Sequence, residues 1–223
     1  LNPTLRRINN PSDISEIYFQ VMSGSKMVDM VVDLIGTNIK CHHCKINLKC
    51  PGANTTVHYH QDFAFTPHSN DDVVTALLLL DDVTEQNGCL MVVPGSHKGP
   101  MYSLYDGDQF VGRVNDTTEQ SLIKKQVPVV GSAGDVCLMH TRLAHGSASN
   151  GSKNSRGLYI CVYTAADAIP LAKNPMPSPN EGLIVRGTGT ISARMINFEV
   201  ELPQQPKSAS FFTVQGQDSA TIK

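Results

Sequence analysis

In the segment Val57-His58-Tyr59-His60-Gln61-Asp62-Phe63, residues alternate as in a strand, which sends His60 and Asp62, two apart, to the same face. A third donor stands 83 residues after Asp62, in Leu143-Ala144-His145-Gly146-Ser147. Two imidazoles and one carboxylate on one side of a metal leave the opposite positions open, the facial arrangement associated with non-haem iron(II) oxygenases. Arg156 opens the next strand-like run, eleven residues past His145. If the strands ending at His145 and starting at Arg156 pair antiparallel across residues 146–155, the guanidinium lies near His145. From there it can grip one end of a dicarboxylate whose other end chelates the metal. Ser147, on the same face as His145, can add a hydroxyl hydrogen bond to that carboxylate.

Other residues of the right type are expected to do less. His58 is in phase with His60 and stands as an alternative ligand. His140, in phase with Val136 and Leu138, reads as a core histidine or a support for a ligand, while His68 and His97 sit beside turn residues and read as exposed or as local caps. Cys41-His42-His43-Cys44, with Cys50 nearby, contains one zinc-like half-site. No second pair follows at the required separation, and on a strand residues three apart face opposite ways. Asn87-Gly88 and Pro94-Gly95-Ser96-His97-Lys98-Gly99 read as turns, since neither opens a helix as a phosphate loop must. Lys45, Lys49, Arg113 and Arg186 could face an acidic substrate, but the commoner role of each is a solvated surface charge, with Arg186 of most interest because it follows a Pro-rich stretch.

The elements that must position these groups are mostly short strands. Ser12 can cap a helix running to about Met22, and Ser25 a second that carries Met27, Val31, Val32, Leu34 and Ile35 to a stop at Gly36. From Ile39 onward the pattern predicts strands near 39–49, 57–65, 73–81, 89–93, 127–130, 135–141, 156–164, 196–200 and 210–214. Such a series without regular intervening helices points to an antiparallel sandwich or jelly roll. Residues 99–126 and 165–195 are long and polar, suited to a rim or lid over a site. The chain reads as one domain over 1–223, with a helical flank (1–38), a jelly-roll core (39–165), and a lid segment with closing strands (166–223).

Composition narrows the partners. Across 223 residues, 18 Lys+Arg against 20 Asp+Glu give a net charge of −2, with no block of one sign to suggest a nucleic-acid or membrane-surface protein. No run approaches the roughly 18 apolar residues of a spanning helix, and the first residues lack a secretion signal's apolar centre. Six scattered cysteines, several in strand-like segments, fit reduced thiols and a cytoplasmic location.

The motifs His60-Gln61-Asp62, Asn87-Gly88-Cys89-Leu90, Pro94-Gly95-Ser96-His97-Lys98-Gly99, Gly134-Asp135-Val136 and His145-Gly146-Ser147, followed by Asn150, Ser152 and Arg156, resemble the phytanoyl-CoA dioxygenase family. The resemblance runs from about residue 30 to 165. It implies a mainly β fold, a double-stranded β-helix (a cupin-like jelly roll) with flanking N-terminal helices. It also implies iron(II) held by His60, Asp62 and His145, with 2-oxoglutarate held at its far carboxylate by Ser147 and Arg156. The activity so implied is hydroxylation of a small molecule by O₂, with release of succinate and CO₂. Two alternatives carry different expectations: a cupin-type metalloenzyme that does not use 2-oxoglutarate, and a non-catalytic jelly-roll binding module. The chain has no Trp, and the strand Thr75-Ala76-Leu77-Leu78 lacks the aromatic residue that longer members of the family often carry there.

Overall fold

The computed structural model describes residues 5–204, 214 and 215. Among them the chain runs through β1 (Arg7–Asn9), α1 (Glu16–Gly24), α2 (Lys26–Ile35), β2 (Ile39–Lys49), β3 (Val57–His60), β4 (Val73–Leu79) and β5 (Leu90–Val92). There follow β6 (Tyr105–Asp106), β7 (Gln109–Phe110), α3 (Asp116–Ile123), β8 (Val127–Val129), β9 (Val136–His140), β10 (His145–Ser147), β11 (Arg156–Ala165) and β12 (Ile184–Arg186). The larger sheet has the order β1-β2-β11-β4-β9, with β12 also on β2, and the smaller has the order β3-β10-β5-β8. All their pairings are antiparallel, and together they make the double-stranded β-helix that the strand pattern and the family resemblance imply.

Alternation along β11 sorts its residues between two cores. Leu158 and Ile160 point between the sheets, where they meet Leu77, Leu79, Met139 and Val92. Tyr159, Cys161 and Tyr163 point the other way, beneath Met22, Met27, Val28 and Val31 of the two N-terminal helices. There the Tyr159 hydroxyl donates to the Tyr18 carbonyl at 2.9 Å and the Tyr163 hydroxyl to the Met22 carbonyl at 2.8 Å, so each buried phenol finds a backbone acceptor on α1.

Several local expectations differ from the structure. Ser12 is buried in a 3₁₀ turn with its hydroxyl against Cys44 Sγ, and α1 begins later, after Ser15. Ser25 does precede α2, but its hydroxyl donates back to the Val21 carbonyl at 2.6 Å. The predicted 57–65 strand stops at His60, and Asp62–Ala64 form a 3₁₀ turn. Residues 196–200 are irregular, although Phe198 and Val200 still cover Phe63, Val73 and Val162. The predicted strand at 210–214 lies outside the described residues except for Val214, which is helical. In β2 the register on β11 passes from His43↔Val162 to Cys41↔Tyr163, leaving His42 as an extra residue. That bulge brings Cys41 and Cys44 to the same helix-facing side, against the simple alternation rule.

Candidate active site

His60 ends β3 and His145 begins β10, and the two are direct partners across the antiparallel pair. Gln61 remains extended (φ −121°, ψ 125°) before the chain turns into Asp62–Ala64, so Asp62 still projects to the side of His60 as the spacing predicts. Gln61 itself is fully buried. Its side-chain amide donates to the carbonyls of Pro100 and Arg142 and accepts the Tyr102 N–H, which ties the turn to the neighbouring loops.

The three side chains converge. Asp62 Oδ1 lies 3.4 Å from His60 Nε2 and 3.7 Å from His145 Nε2, the two rings are 4.3 Å apart, and one donor atom from each residue lies within 4.8 Å of the others. His60 Nδ1 is 2.8 Å from the His58 carbonyl, and His145 Nδ1 is 2.8 Å from the Leu143 carbonyl. A carbonyl can only accept, so each Nδ1 carries a hydrogen and each Nε2 is the ring nitrogen turned to the shared space. Burial favours the uncharged form of Asp62, but His145, His60 and Lys45 outweigh it and hold the carboxyl well below the usual carboxylate range. Burial, with His60 beside it, pulls His145 down to about 4. The Thr75 hydroxyl donates to Asp62 Oδ2 at 3.1 Å. Two imidazoles with Nδ1 anchored and Nε2 facing inward, and an oriented carboxylate, are the donor set a divalent metal needs, so the residues present fit an iron(II) ion.

Arg156 reaches the same cavity by a different route from the one expected. β10 pairs with β3 and β5, whereas β11 pairs with β2 and β4. Arg156 therefore faces His145 from the opposite sheet rather than from an adjacent strand. Its side chain is 3% exposed, its Nη2 donates to the Gly88 carbonyl at 2.6 Å, and its buried Nε has no hydrogen-bond partner. A buried N–H left unmade costs stability, and a carboxylate is the acceptor that a guanidinium edge fits best. Ser147 lines the same cavity and accepts a 2.8 Å bond from Lys49 Nζ.

Lys49 was expected in solvent, yet it is 3% exposed. It pairs in register with Arg156 and also donates to the Ala148 carbonyl. Burial and the neighbouring guanidinium push its ammonium down to about 7. Lys45 and Asn47 line the cavity too, with Arg7 of β1 opposite Asn47. Burial lowers Lys45 to about 8 and Arg7 to about 10. The signal for the three on β2 was the spacing Lys45-x-Asn47-x-Lys49, which puts three polar side chains on one face without saying which way that face turns; Arg7, on β1, had no such signal.

The remaining candidates fall elsewhere. The bulge in the β3–β10 register, His60↔His145 but Val57↔Ser147, takes His58 out of phase, and its ring pairs with Glu119 of α3 at 3.1 Å. His68 is fully buried rather than exposed, its Nδ1 bonded to the Thr66 carbonyl and its ring edge-on to His42. His140 accepts the Arg142 N–H at 3.1 Å and stacks beside His97. Arg186 ties β12 to the helices through Asp29 and the Ser23 carbonyl. Arg113 pairs with Asp116. Asn87 closes its own turn onto Thr84, and Ser96 Oγ accepts the Ala144 N–H.

Comparison with known proteins agrees with this geometry. The phytanoyl-CoA dioxygenase (PhyH) family profile matches residues 4–158. The chain belongs to the phytanoyl-CoA dioxygenase family. It is 36% identical over 209 residues to a Stutzerimonas stutzeri protein named "probable alpha-ketoglutarate-dependent hypophosphite dioxygenase", covering 89% of this chain and 71% of that one. It is 29% identical over 177 residues to human peroxisomal phytanoyl-CoA dioxygenase, covering 74% of this chain and 52% of the human one, so it spans about half the length of that relative. The crystal structure of EctD from S. alaskensis in its apoform superposes with a TM-score of 0.67 at 22% identity, covering 83% of this chain and 68% of that one, a likeness of fold. Enzymes of this family are iron- and 2-oxoglutarate-dependent oxygenases, and the donor set described above is of the type they require.

Proposed function

We propose that the protein hydroxylates a small-molecule substrate as an iron(II)- and 2-oxoglutarate-dependent dioxygenase. His60, Asp62 and His145 hold the metal, while Arg156 and Ser147, joined by Lys49, hold the far carboxylate of 2-oxoglutarate. The observation that carries this reading is the convergence of the two Nε2 atoms on Asp62, across a cavity from a buried Arg156 whose Nε lacks an acceptor. The bound iron and co-substrate supply the oxidising power: O₂ and 2-oxoglutarate become succinate and CO₂, and one oxygen atom is left for the substrate. The chain's own residues fix the ligand tautomers, orient the carboxylate and keep bulk water from the buried imidazoles.

Arg156 favours this reading over a cupin that does not use 2-oxoglutarate, because its unmet N–H lines the same cavity as the three metal donors. Of the substrates named for relatives, a compact oxyanion such as hypophosphite suits this cavity better than a long acyl thioester. Its wall carries Arg7, Lys45, Lys49 and Arg156 beside the carboxylate of Asp62, a charge balance that suits a small anion. The balance would be H₂PO₂⁻ + 2-oxoglutarate + O₂ → H₂PO₃⁻ + succinate + CO₂, one P–H bond becoming P–OH. We read residues 1–223 as one oxygenase domain. No helix among the described residues is long and apolar enough to cross a membrane. Six free thiols suit the reducing cytoplasm, where we place the protein.

The test is substrate-triggered succinate release from a panel containing hypophosphite, compact organic acids and acyl-CoA esters, with mass detection of the added oxygen. Asp62→Ala should abolish turnover and weaken iron binding. Undiminished succinate formation in that variant would sink the assignment.

A further inference from the structure

Between its polar groups the cavity is walled by aliphatic side chains, among them Leu77, Leu158 and Ile160. One apolar residue of that wall is chemically different. Among the described residues lining the cavity, Met139 carries the only sulfur. It sits on β9 directly opposite Thr75 of β4, and the Thr75 hydroxyl is the group that donates to Asp62 Oδ2 at 3.1 Å. Side chains directly opposite on antiparallel strands stand about 4.5–5.5 Å apart at Cβ. Met139 also shares an apolar cluster with Val92, the cross-strand partner of His145. It is therefore one side chain removed from Asp62 and close to the strand that carries His145.

A thioether is the most readily oxidised apolar group on that wall. Its sulfur is soft and polarisable and takes up an oxygen atom on a lone pair, whereas each aliphatic neighbour must first lose a hydrogen from carbon. Oxidants in bulk water do not select this methionine. Met139 is 2% exposed, against 40% for Met30 and 71% for Met195, so a dissolved oxidant meets the other two first. An oxidant generated inside the cavity reverses that order. When 2-oxoglutarate is decarboxylated with no substrate in place, one oxygen atom is left without a taker, and the nearest soft group receives it.

We propose that Met139 is a self-modification site, its thioether oxidised to the sulfoxide when the enzyme turns over without substrate. This rests on the oxygenase reading and adds to it the place where uncoupled turnover does its damage. The balance is Met139 thioether + 2-oxoglutarate + O₂ → Met139 sulfoxide + succinate + CO₂. The sulfur and the keto acid each give up two electrons, dioxygen takes all four, and its two oxygen atoms end on the sulfur and in the new carboxylate of succinate. The product sets a polar group among Leu77, Leu158 and Ile160, which loosens the packing behind Thr75 and Asp62. The modified protein therefore holds its metal less tightly.

Peptide mapping by mass spectrometry tests the site. Wild-type protein is loaded with iron(II) and 2-oxoglutarate and incubated without substrate under isotopically heavy O₂, with catalase present to remove free peroxide. The expected result is the gain of one oxygen atom at Met139, about 16 Da in ordinary O₂, carrying the heavy label, dependent on 2-oxoglutarate and appearing before any change at Met30 or Met195. Hydrogen peroxide added to metal-free protein should give the opposite order. A second readout needs no turnover: with methyl-labelled methionine and cobalt(II) in place of iron, the Met139 methyl resonance should shift more than those of Met30 and Met195. Met139→Leu should abolish the modification and slow the loss of iron affinity during the incubation. Three results would overturn the proposal: succinate formed while Met139 stays unmodified, heavy oxygen gathering first at Met30 or Met195, or loaded protein that holds 2-oxoglutarate in air and forms neither succinate nor sulfoxide. Wild-type protein that does not bind 2-oxoglutarate at all defeats the underlying oxygenase reading instead. The wild-type map decides the matter even if the variant does not fold.

Discussion

Thr75 gives its hydroxyl hydrogen to Asp62 Oδ2, and the Asp62 oxygen facing the two imidazoles is Oδ1. The carboxylate is therefore oriented before any ligand arrives. Thr75→Val keeps the shape and removes that bond, so metal affinity should fall by about 10- to 100-fold, read by competition against a chromogenic chelator, with little change in melting temperature of the metal-free protein. Lys49 makes a separate, pH-dependent statement. Its folded-state value of about 7 lies below the ordinary 10.5, so between those two pH values the unfolded chain binds the extra proton and stability rises with pH. Below about 7 the lysine is charged in both states and its penalty is fully present. Lys49→Met should remove this segment of the slope, measured as urea midpoints at pH 7 and pH 9.5 for both proteins. The metal-ligand candidates and Arg156 were legible in the sequence because their spacing is short or motif-like. Lys49, Lys45 and Arg7 were not. A lysine on a strand is ordinarily solvated, and only the fold turns that face of β2 inward.

At the scale of elements, β2 shows why alternation alone misleads. Its apolar set, Cys44, Ile46 and Leu48, faces the helices, and its polar set faces the cavity. Alternation reveals that two faces differ, but not which one is wet. Bulges were equally hidden. The irregularity in β2 realigns Cys41 with Cys44, and the one between β3 and β10 removes His58 from contention; one extra residue at each place depends on long-range pairing that local pattern does not encode. Of the long strands, β4 and β11 were legible from their nearly continuous apolar runs and β2 from the alternation of its second half, whereas β1, β10 and β12, three residues each, are too short to carry a period. Within β10, Gly146 has a steric reason: an added Cβ would lie 2.9 Å from the Val57 carbonyl oxygen and 3.0 Å from the Tyr59 ring. Gly146→Ala should cost about 1–3 kcal/mol and weaken metal binding, because it drives apart the two strands that bring His60 and His145 together. Gly151→Ala, whose Cβ would meet only the Gln86 carbonyl at 3.6 Å, is the control. Denaturant melts and iron titrations of both variants check this.

Across the whole molecule, the net charge of −2 conceals a cavity lined by four cations and one carboxylate. The acidic surplus therefore lies away from the site, and bulk composition said nothing about the charge of the interior. The two sheets are also unequal. The larger is built on strands of 11 and 10 residues, backed by helices, while the smaller is held by strands of three and four. Both imidazoles come from the smaller one. Stability is not uniform in such a molecule, and the short strands should breathe first. A metal clamped between β3 and β10 then acts as a rivet for the weak half alone. Deuterium uptake by the amides of β3, β5 and β10 should slow markedly on iron(II) loading while that of β2 and β11 stays unchanged; uniform slowing of both sheets would contradict this picture. In such a protein, metal starvation would first loosen the half that carries the ligands and leave the larger sheet standing, ready to be reloaded.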